Sequence, residues 1–290
     1  ASYSSPGANL FVSGYAGNYY QDSPTIGTTI VAGQSVNIGD YNTQTTWDDD
    51  EYQNYTWTMN GTSAASPTVS GAIALVLEAC PDLSYREVKL LIAKNAKNKG
   101  STIEIDPTND TWVENSAGYW HSRDYGFGLI NPKGMIEECN RLDYELLPDE
   151  EQYSYTFNFN ETIEDQGEGI FTLNVPSNDV SLPSFPTNPA SHVDFIEWLE
   201  LTIDNNNTQA SDYEIYLVSP SGTRIKMMAS STSAQEIGYS AWLDGGHRLG
   251  TPAFIGESSQ GNWVLSIIDT LAEDEGVLVD VKLVIYGYQK

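Results

Sequence analysis

Hydrophobic and polar positions change their period partway along the chain. Residues 1 to 62 set short apolar runs, Asn9-Leu10-Phe11-Val12 and Thr28-Thr29-Ile30-Val31, between Gly, Pro, Asn and Ser, which predicts short strands and turns. From Ser63 to Ala79 apolar residues cover nearly the whole helical circumference, so this segment is expected to be a helix buried on all sides. Pro67 suits its first turn, where a missing amide hydrogen removes no hydrogen bond. Pro81-Asp82-Leu83-Ser84 ends it, and Ser84-Tyr85-Arg86-Glu87 has the Ser-x-x-Glu capping pattern that opens a second, amphipathic helix to about Asn95. After a loop rich in Asn, Asp and Thr, Tyr125-Gly126-Phe127-Gly128 leads into Ile130 and a short helix from Pro132 to about Arg141.

Beyond Glu145-Leu146-Leu147-Pro148-Asp149-Glu150-Glu151, an acidic stretch of linker composition, the period becomes two. Tyr153, Tyr155, Phe157 and Phe159 fall on one face, as do Val279, Val281, Leu283 and Ile285. About eight such strands, with turn signals at Ser219-Pro220-Ser221-Gly222 and Asp244-Gly245-Gly246, predict a β-sandwich of jelly-roll type. The expected organisation is residues 1–142, a linker over 143–152, and an all-β unit over 153–290.

Composition narrows the function. The chain has 290 residues and 13 Lys plus Arg against 40 Asp plus Glu, a formal charge of -27 that repels nucleic acid and anionic membrane surfaces. The acid run Asp48-Asp49-Asp50-Glu51 is read as a solvated loop, with cation binding as its alternative. The longest apolar run, Ala72 to Leu77, is far below the roughly 20 residues needed to span a bilayer. No membrane helix is expected. Ala1 reads as a mature or internal start. Cys80 and Cys139 permit one disulfide or remain as two small buried side chains; an extracytoplasmic setting favours pairing.

The candidate chemistry lies in Gly61-Thr62-Ser63-Ala64-Ala65-Ser66-Pro67. A serine becomes a nucleophile when a base takes its proton and donors hold the resulting oxyanion, and a helix start supplies unpaired amides and a favourable dipole. Alone the motif is weak, because Ser66-Pro67 is also an ordinary helix-starting pair. Other segments occur with it in order: Ala1-Ser2-Tyr3-Ser4-Ser5-Pro6-Gly7-Ala8, then Leu77-Glu78-Ala79-Cys80-Pro81-Asp82-Leu83-Ser84-Tyr85-Arg86-Glu87-Val88, then Tyr125-Gly126-Phe127-Gly128-Leu129-Ile130. Ser219-Pro220-Ser221-Gly222-Thr223 and Gly261-Asn262-Trp263-Val264-Leu265, with Asp269 and Gly276, follow in the second half. Together they resemble a subtilisin-like serine protease (subtilase) of the kexin/proprotein convertase type. The match is to the carboxy-terminal part of the catalytic domain followed by the P (Homo B) domain.

The resemblance implies an α/β subtilase-type portion, incomplete at its amino-terminal side, joined to an all-β jelly-roll sandwich. It implies a secreted or extracytoplasmic serine endopeptidase acting on proteins or peptides, with Ser63 as nucleophile, its amide as one oxyanion donor, and a preference for basic residues. The Asp, His and oxyanion Asn of a subtilase belong to an upstream part whose motifs this sequence does not contain, so that part is the expected partner. His121, His192 and His247 are expected to pack or lie on the surface rather than to serve Ser63. No cofactor is required for the chemistry. Structural calcium is compatible with the family, although Ser5 stands where vertebrate convertases carry an acidic ligand, and Asp204, Asp212, Asp269 and Asp274 read as solvated loop residues before calcium ligands. Of five Asn-x-Ser/Thr sequons, Asn60-Gly61-Thr62 is expected to stay bare, since a glycan there would crowd Ser63. The alternative function is a non-catalytic module binding protein or carbohydrate through Tyr239, Trp242 and Trp263, with an inert protease remnant; core or interdomain packing is the preferred reading of those aromatics.

Overall fold

The computed structural model describes residues 4–17, 26–29, 55–98, 111–141, 143–176, 192–206, 212–230, 246–272 and 275–290. The Asp48-Asp49-Asp50-Glu51 run, Asp274, Tyr239 and Trp242 lie outside them. In the first part, β1 (Ile26–Thr29) pairs antiparallel with β2 (Tyr55–Met59), and β2 runs through Asn60 and Gly61 into α1 (Thr62–Ala79). Residues 9–12 form no strand; Ser13 makes a single bridge to Leu129. α2 (Tyr85–Asn95) opens on the expected capping box, in which Arg86 N donates to Ser84 Oγ and Glu87 returns a carboxylate to Ser84 N at 2.8 Å. Leu147 N donates to the other Glu87 oxygen at 2.8 Å, so the same carboxylate ties the linker to the helix. Burial pushes that carboxyl up, but the donors at Ser84 and Leu147 outweigh it and leave the group below the ordinary carboxylate range. β3 (Trp112–Glu114) and β4 (Trp120–Ser122) form a short hairpin, and α3 (Pro132–Cys139) starts from an Asn131 cap. Cys80 and Cys139 are joined as a disulfide linking the ends of α1 and α3.

The sequence expectation for α1 is corrected. Only Ala64 and Val76 are buried, while Leu75 is 56% and Leu77 38% exposed. Hydrophobicity around a helix states which faces need cover, and the described residues cover one of them. The helix also begins at Thr62, so Pro67 sits in its second turn and Ser63 O lacks the amide donor it would otherwise receive there.

The second part is a sandwich of eight strands: β5 (Glu151–Ile163), β6 (Glu168–Val175), β7 (Phe195–Asn205), β8 (Tyr213–Val218), β9 (Arg224–Met228), β10 (His247–Thr251), β11 (Gly261–Asp269) and β12 (Gly276–Tyr288). The sheets run β10-β7-β12-β5 and β6-β11-β8-β9, all pairings antiparallel. Counted from β5, that order is the two-Greek-key pattern of a jelly roll. Leu173, Leu199, Leu201, Leu217, Leu265 and Leu283 are fully buried between the sheets, with Tyr153, Tyr155, Phe157 and Phe159 packed alongside. In β12 the inward phase breaks at a bulge between Leu278 and Asp280: Leu278 is buried where alternation pointed to Val279, and Val281, Leu283 and Ile285 resume the inward face. Trp263 is fully buried, edge-on to Phe254, with Nε1 donating to Ser259 O at 2.9 Å.

The two parts share a seam. Phe195, Ile255 and Tyr288 of the sandwich complete an apolar cluster with Val76, Leu91, Phe127 and Met135. Arg86 Nε donates to Glu197 Oε2 at 2.9 Å, Nη2 bonds the other oxygen, and Nη1 donates to Pro148 O at 2.6 Å. This bidentate pair, with side chains 11% and 12% exposed, fixes α2, the linker and β7 together. Breaking it would leave a nearly buried charge without its partner.

Candidate active site

Ser63 is an exposed residue of the first turn of α1. Gly61 forms the N-cap at φ 78°, a left-handed conformation that costs a residue with a Cβ, and no side chain caps the helix. Gly61 O accepts from Ala64 N at 3.0 Å and Ala65 N at 3.2 Å, so the amides of Thr62 and Ser63 stand ahead of the internal ladder at the positive end of the dipole. Buried Ala64 anchors the turn while leaving its neighbour Ser63 outward. Among the described residues the Ser63 hydroxyl has no hydrogen-bond partner, and no histidine meets it.

The support around this turn comes from distant sequence. A cleft of about 800 Å³ runs beside α1, between the opening segment at Leu10 and Val12, the helix at Thr62 and Ser66, and Asp124 and Tyr125. Gly126, at φ 62°, lies where a Cβ would come within 2.4 Å of the Phe11 carbonyl, and Gly128 lies where one would meet Lys97 O at 2.3 Å. Those approaches explain both glycines of the Tyr-Gly-Phe-Gly motif, since they let Phe127 N donate to Phe11 O at 2.9 Å and Leu129 N to Lys97 O at 2.9 Å. Phe127 is fully buried, edge-on to Phe11 at 5.0 Å.

His121 takes a packing role. It is buried, its Nε2 lies 2.9 Å from Leu10 O, and its ring meets Phe127 edge-on. Burial pushes its pKa down to about 4, so the ring is neutral at neutral pH. His192 lies 3.4 Å from Asp194 and His247 begins β10, both in the sandwich. Asp212 and Asp269 are buried rather than solvated: the Asp212 carbonyl accepts from Thr270 N, and Asp269 Oδ1 from Leu271 N. Asp204, the residue before the end of β7, is half-buried. Among the described residues no three His, Cys, Asp or Glu side chains converge as a metal site. The turn at Asn115, an unremarked part of a polar loop in the sequence, is the main structural contact that the motifs missed; the signal available was Asn115-Ser116-Ala117-Gly118 between two tryptophan-bearing strands.

Ser63 thus stands at an uncapped helix start, on an α/β portion followed by a jelly roll. Residues 1–128 match the subtilase family and residues 196–285 the proprotein convertase P-domain. The chain belongs to the subtilase family, with the catalytic-domain portion and P domain in the order found in proprotein convertases. It is 30% identical to an extracellular serine protease of Aeromonas sobria, over 93% of this chain and 46% of that protein. It is also 30% identical to proprotein convertase subtilisin/kexin type 5 of Rattus norvegicus, over 91% of this chain and 14% of the convertase. The crystal structure of the Aeromonas sobria serine protease with a chaperone superimposes with a TM-score of 0.78 at 25% identity, covering 100% of this chain and 55% of that one. The chain thus spans less than half the length of the curated relatives it matches. No described helix is long and apolar enough to cross a membrane.

Proposed function

We propose that this chain carries the nucleophile of an extracytoplasmic serine endopeptidase, with Ser63 as the attacking residue. The observation that carries this reading is the exposed Ser63 at the uncapped amino end of α1, on a helix whose face away from Val76 is bare, with Leu75 and Leu77 exposed at its two flanks. An amino-terminal part of the same protein would cover that face and bring the Asp, the His and the oxyanion Asn to Ser63. Ser63 Oγ then attacks the scissile carbonyl carbon as the base takes its proton. The carbonyl oxygen becomes an oxyanion beside the Ser63 amide, where the helix dipole favours negative charge. Collapse of the intermediate expels the amine with the base's proton, and water releases the acyl group by the reverse sequence of proton transfers. Likeness to convertase type 5 supports a kexin-type preference for basic residues before the cleaved bond. Binding through aromatics of the sandwich is weakened by the burial of Trp263 in the core.

A fluorophosphonate probe on the full-length protein tests the reading. Label is expected on Ser63 and abolished by Ser63→Ala, with peptide hydrolysis reduced by about three orders of magnitude or more. Label on another residue, or hydrolysis unchanged in Ser63→Ala, would overturn it. A peptide-library digest checks the basic preference separately.

A further inference from the structure

We propose that Asn115 is a positioning residue through which the P domain sets the placement of Ser63, a proposal that rests on the reading of Ser63 as the nucleophile. Asn115 is 4% exposed and uses its whole hydrogen-bonding capacity. Its Nδ2 donates across the seam to Ala253 O at 3.0 Å and Ile255 O at 2.9 Å, and its Oδ1 accepts from Ala117 N at 3.0 Å and Tyr119 N at 2.9 Å. One side chain therefore shapes the β3–β4 turn and fastens it to the P domain. The next amide continues the grip: Ser116 N donates to Glu257 Oε1 at 3.0 Å and to Thr223 Oγ1 at 3.1 Å, while the Thr223 hydroxyl bonds the same buried carboxylate.

From this turn the contacts run without a gap towards α1. β4 carries His121, whose Nε2 meets Leu10 O, and leads into the turn whose Phe127 N donates to Phe11 O. Ser13 is then held on both sides, its N donating to Gly128 O at 2.8 Å and its O accepting from Ile130 N at 3.0 Å. Thr251 Oγ1 of the P domain adds a bond to Ala8 O at 2.9 Å at the start of the same segment. Gly14, the next residue after Ser13, presses on the helix so closely that a Cβ there would lie 2.7 Å from Ala65 O and 2.8 Å from Val69 Cγ2. Ala65 is in the turn that holds Ser63. The opening segment is thus clamped between elements fixed by the P domain and the helix that presents the serine, and a shift at the seam reaches Ser63 through backbone hydrogen bonds up to Ser13 and then through the close packing of Gly14 on Ala65 and Val69. Uncapped at its own amino end, α1 has no side-chain cap to hold its first turn against such a shift.

Asn115→Asp separates the two duties of this side chain, because the carboxylate keeps the acceptor for Ala117 N and Tyr119 N but turns an oxygen towards two carbonyls. Thr223→Val is the milder variant, removing the hydroxyl from the same clamp. In the full-length protein, well below the melting temperature of each variant, Asn115→Asp is expected to speed hydrogen exchange of residues 61–66 by about tenfold and Thr223→Val by less. Fluorophosphonate labelling of Ser63 and kcat are expected to fall by a similar factor, with KM changed less than about twofold. Faster exchange confined to residues 115–119 and 253–257, with Ser63 reactivity unchanged, would overturn the proposal and leave Asn115 a structural fastener. Absence of Ser63 labelling in the unmodified protein would instead overturn the proposed function, and the exchange at residues 61–66 would still decide whether Asn115 acts on that turn.

Discussion

The P domain builds its core almost wholly from its own strands, with Ala8 and Val113 of the first part at its edge, whereas the cluster under α2 in the catalytic portion includes three side chains from the sandwich. Both sheets of the sandwich bury facing rows, Leu173, Leu217 and Leu265 on one side and Leu199, Leu201 and Leu283 on the other. The apolar cluster under α2 instead needs Phe195, Ile255 and Tyr288 from beyond the linker, and α1 keeps one face bare. The difference shows that the described residues up to 141 rely on the P domain to complete their apolar cluster, while the α1 side chains Leu75 and Leu77 stay exposed. Perturbing the sandwich should therefore damage both portions, while perturbing α1 should not reach the sandwich.

Trp263→Ala gives the largest expected effect. It empties a fully buried site and removes the indole bond to Ser259 O, a loss of about 5 kcal/mol in urea unfolding of this chain. Tryptophan fluorescence and far-UV circular dichroism should then shift together. A helical transition that stays at its original midpoint would show that the catalytic portion does not depend on the sandwich. Cys139→Ser comes next. The disulfide spans 59 residues of sequence, and by the chain-entropy relation its removal costs about 4 kcal/mol. Limited proteolysis should open residues 62–141 first, and cleavage starting in the sandwich would reverse the proposed order of dependence.

His121 makes the comparison sensitive to pH. Its folded-state pKa of about 4 lies below the ordinary 6.5, so an unfolded chain takes up the proton first as pH falls. The stability it confers is complete above about pH 6.5, declines between 6.5 and 4, and levels off below; the difference amounts to about 3 kcal/mol. His121→Gln should flatten that part of the stability profile relative to the parent chain. An unchanged slope would remove His121 as the cause and point to the carboxylates.

Local chemistry was readable in the sequence where one segment decides its own outcome. Ser84 and Glu87 form their capping box from four residues, and Tyr153 to Phe159 alternate because one face of β5 meets a core. The glycines of Tyr125-Gly126-Phe127-Gly128 could be recognised as a motif, but their cause lies at Phe11 and Lys97, far away in sequence. Val279 was misplaced because a bulge inserts one residue without altering the pattern on either side of it. Asp212 and Asp269 looked solvated because charge at a strand end usually is, yet both are buried where loop backbone folds over them. Asn115 carried no signal beyond that of a turn, because its partners are carbonyl groups and every residue has one. Ser63 was singled out from its motif and stands exposed at the start of α1, but no residue of this sequence reports what would lie across that helix.

Leu75→Ser gives the smallest effect in this chain and the most discriminating one. With Leu75 56% exposed, its substitution should change the unfolding free energy of the 290-residue chain by no more than about 0.5 kcal/mol. In a longer protein carrying the proposed amino-terminal part, the same side chain would lie under that part, and the substitution should then cost about 2 kcal/mol through lost burial of apolar surface and a poorly filled site. The comparison depends on that contrast, because an exposed leucine by itself is ordinary and only a cost that appears with the longer protein makes it half of an interface. Equal, negligible effects in both would mean that the outer face of α1 stays in water. The Asp and His of the proposed mechanism would then have to approach Ser63 from another side.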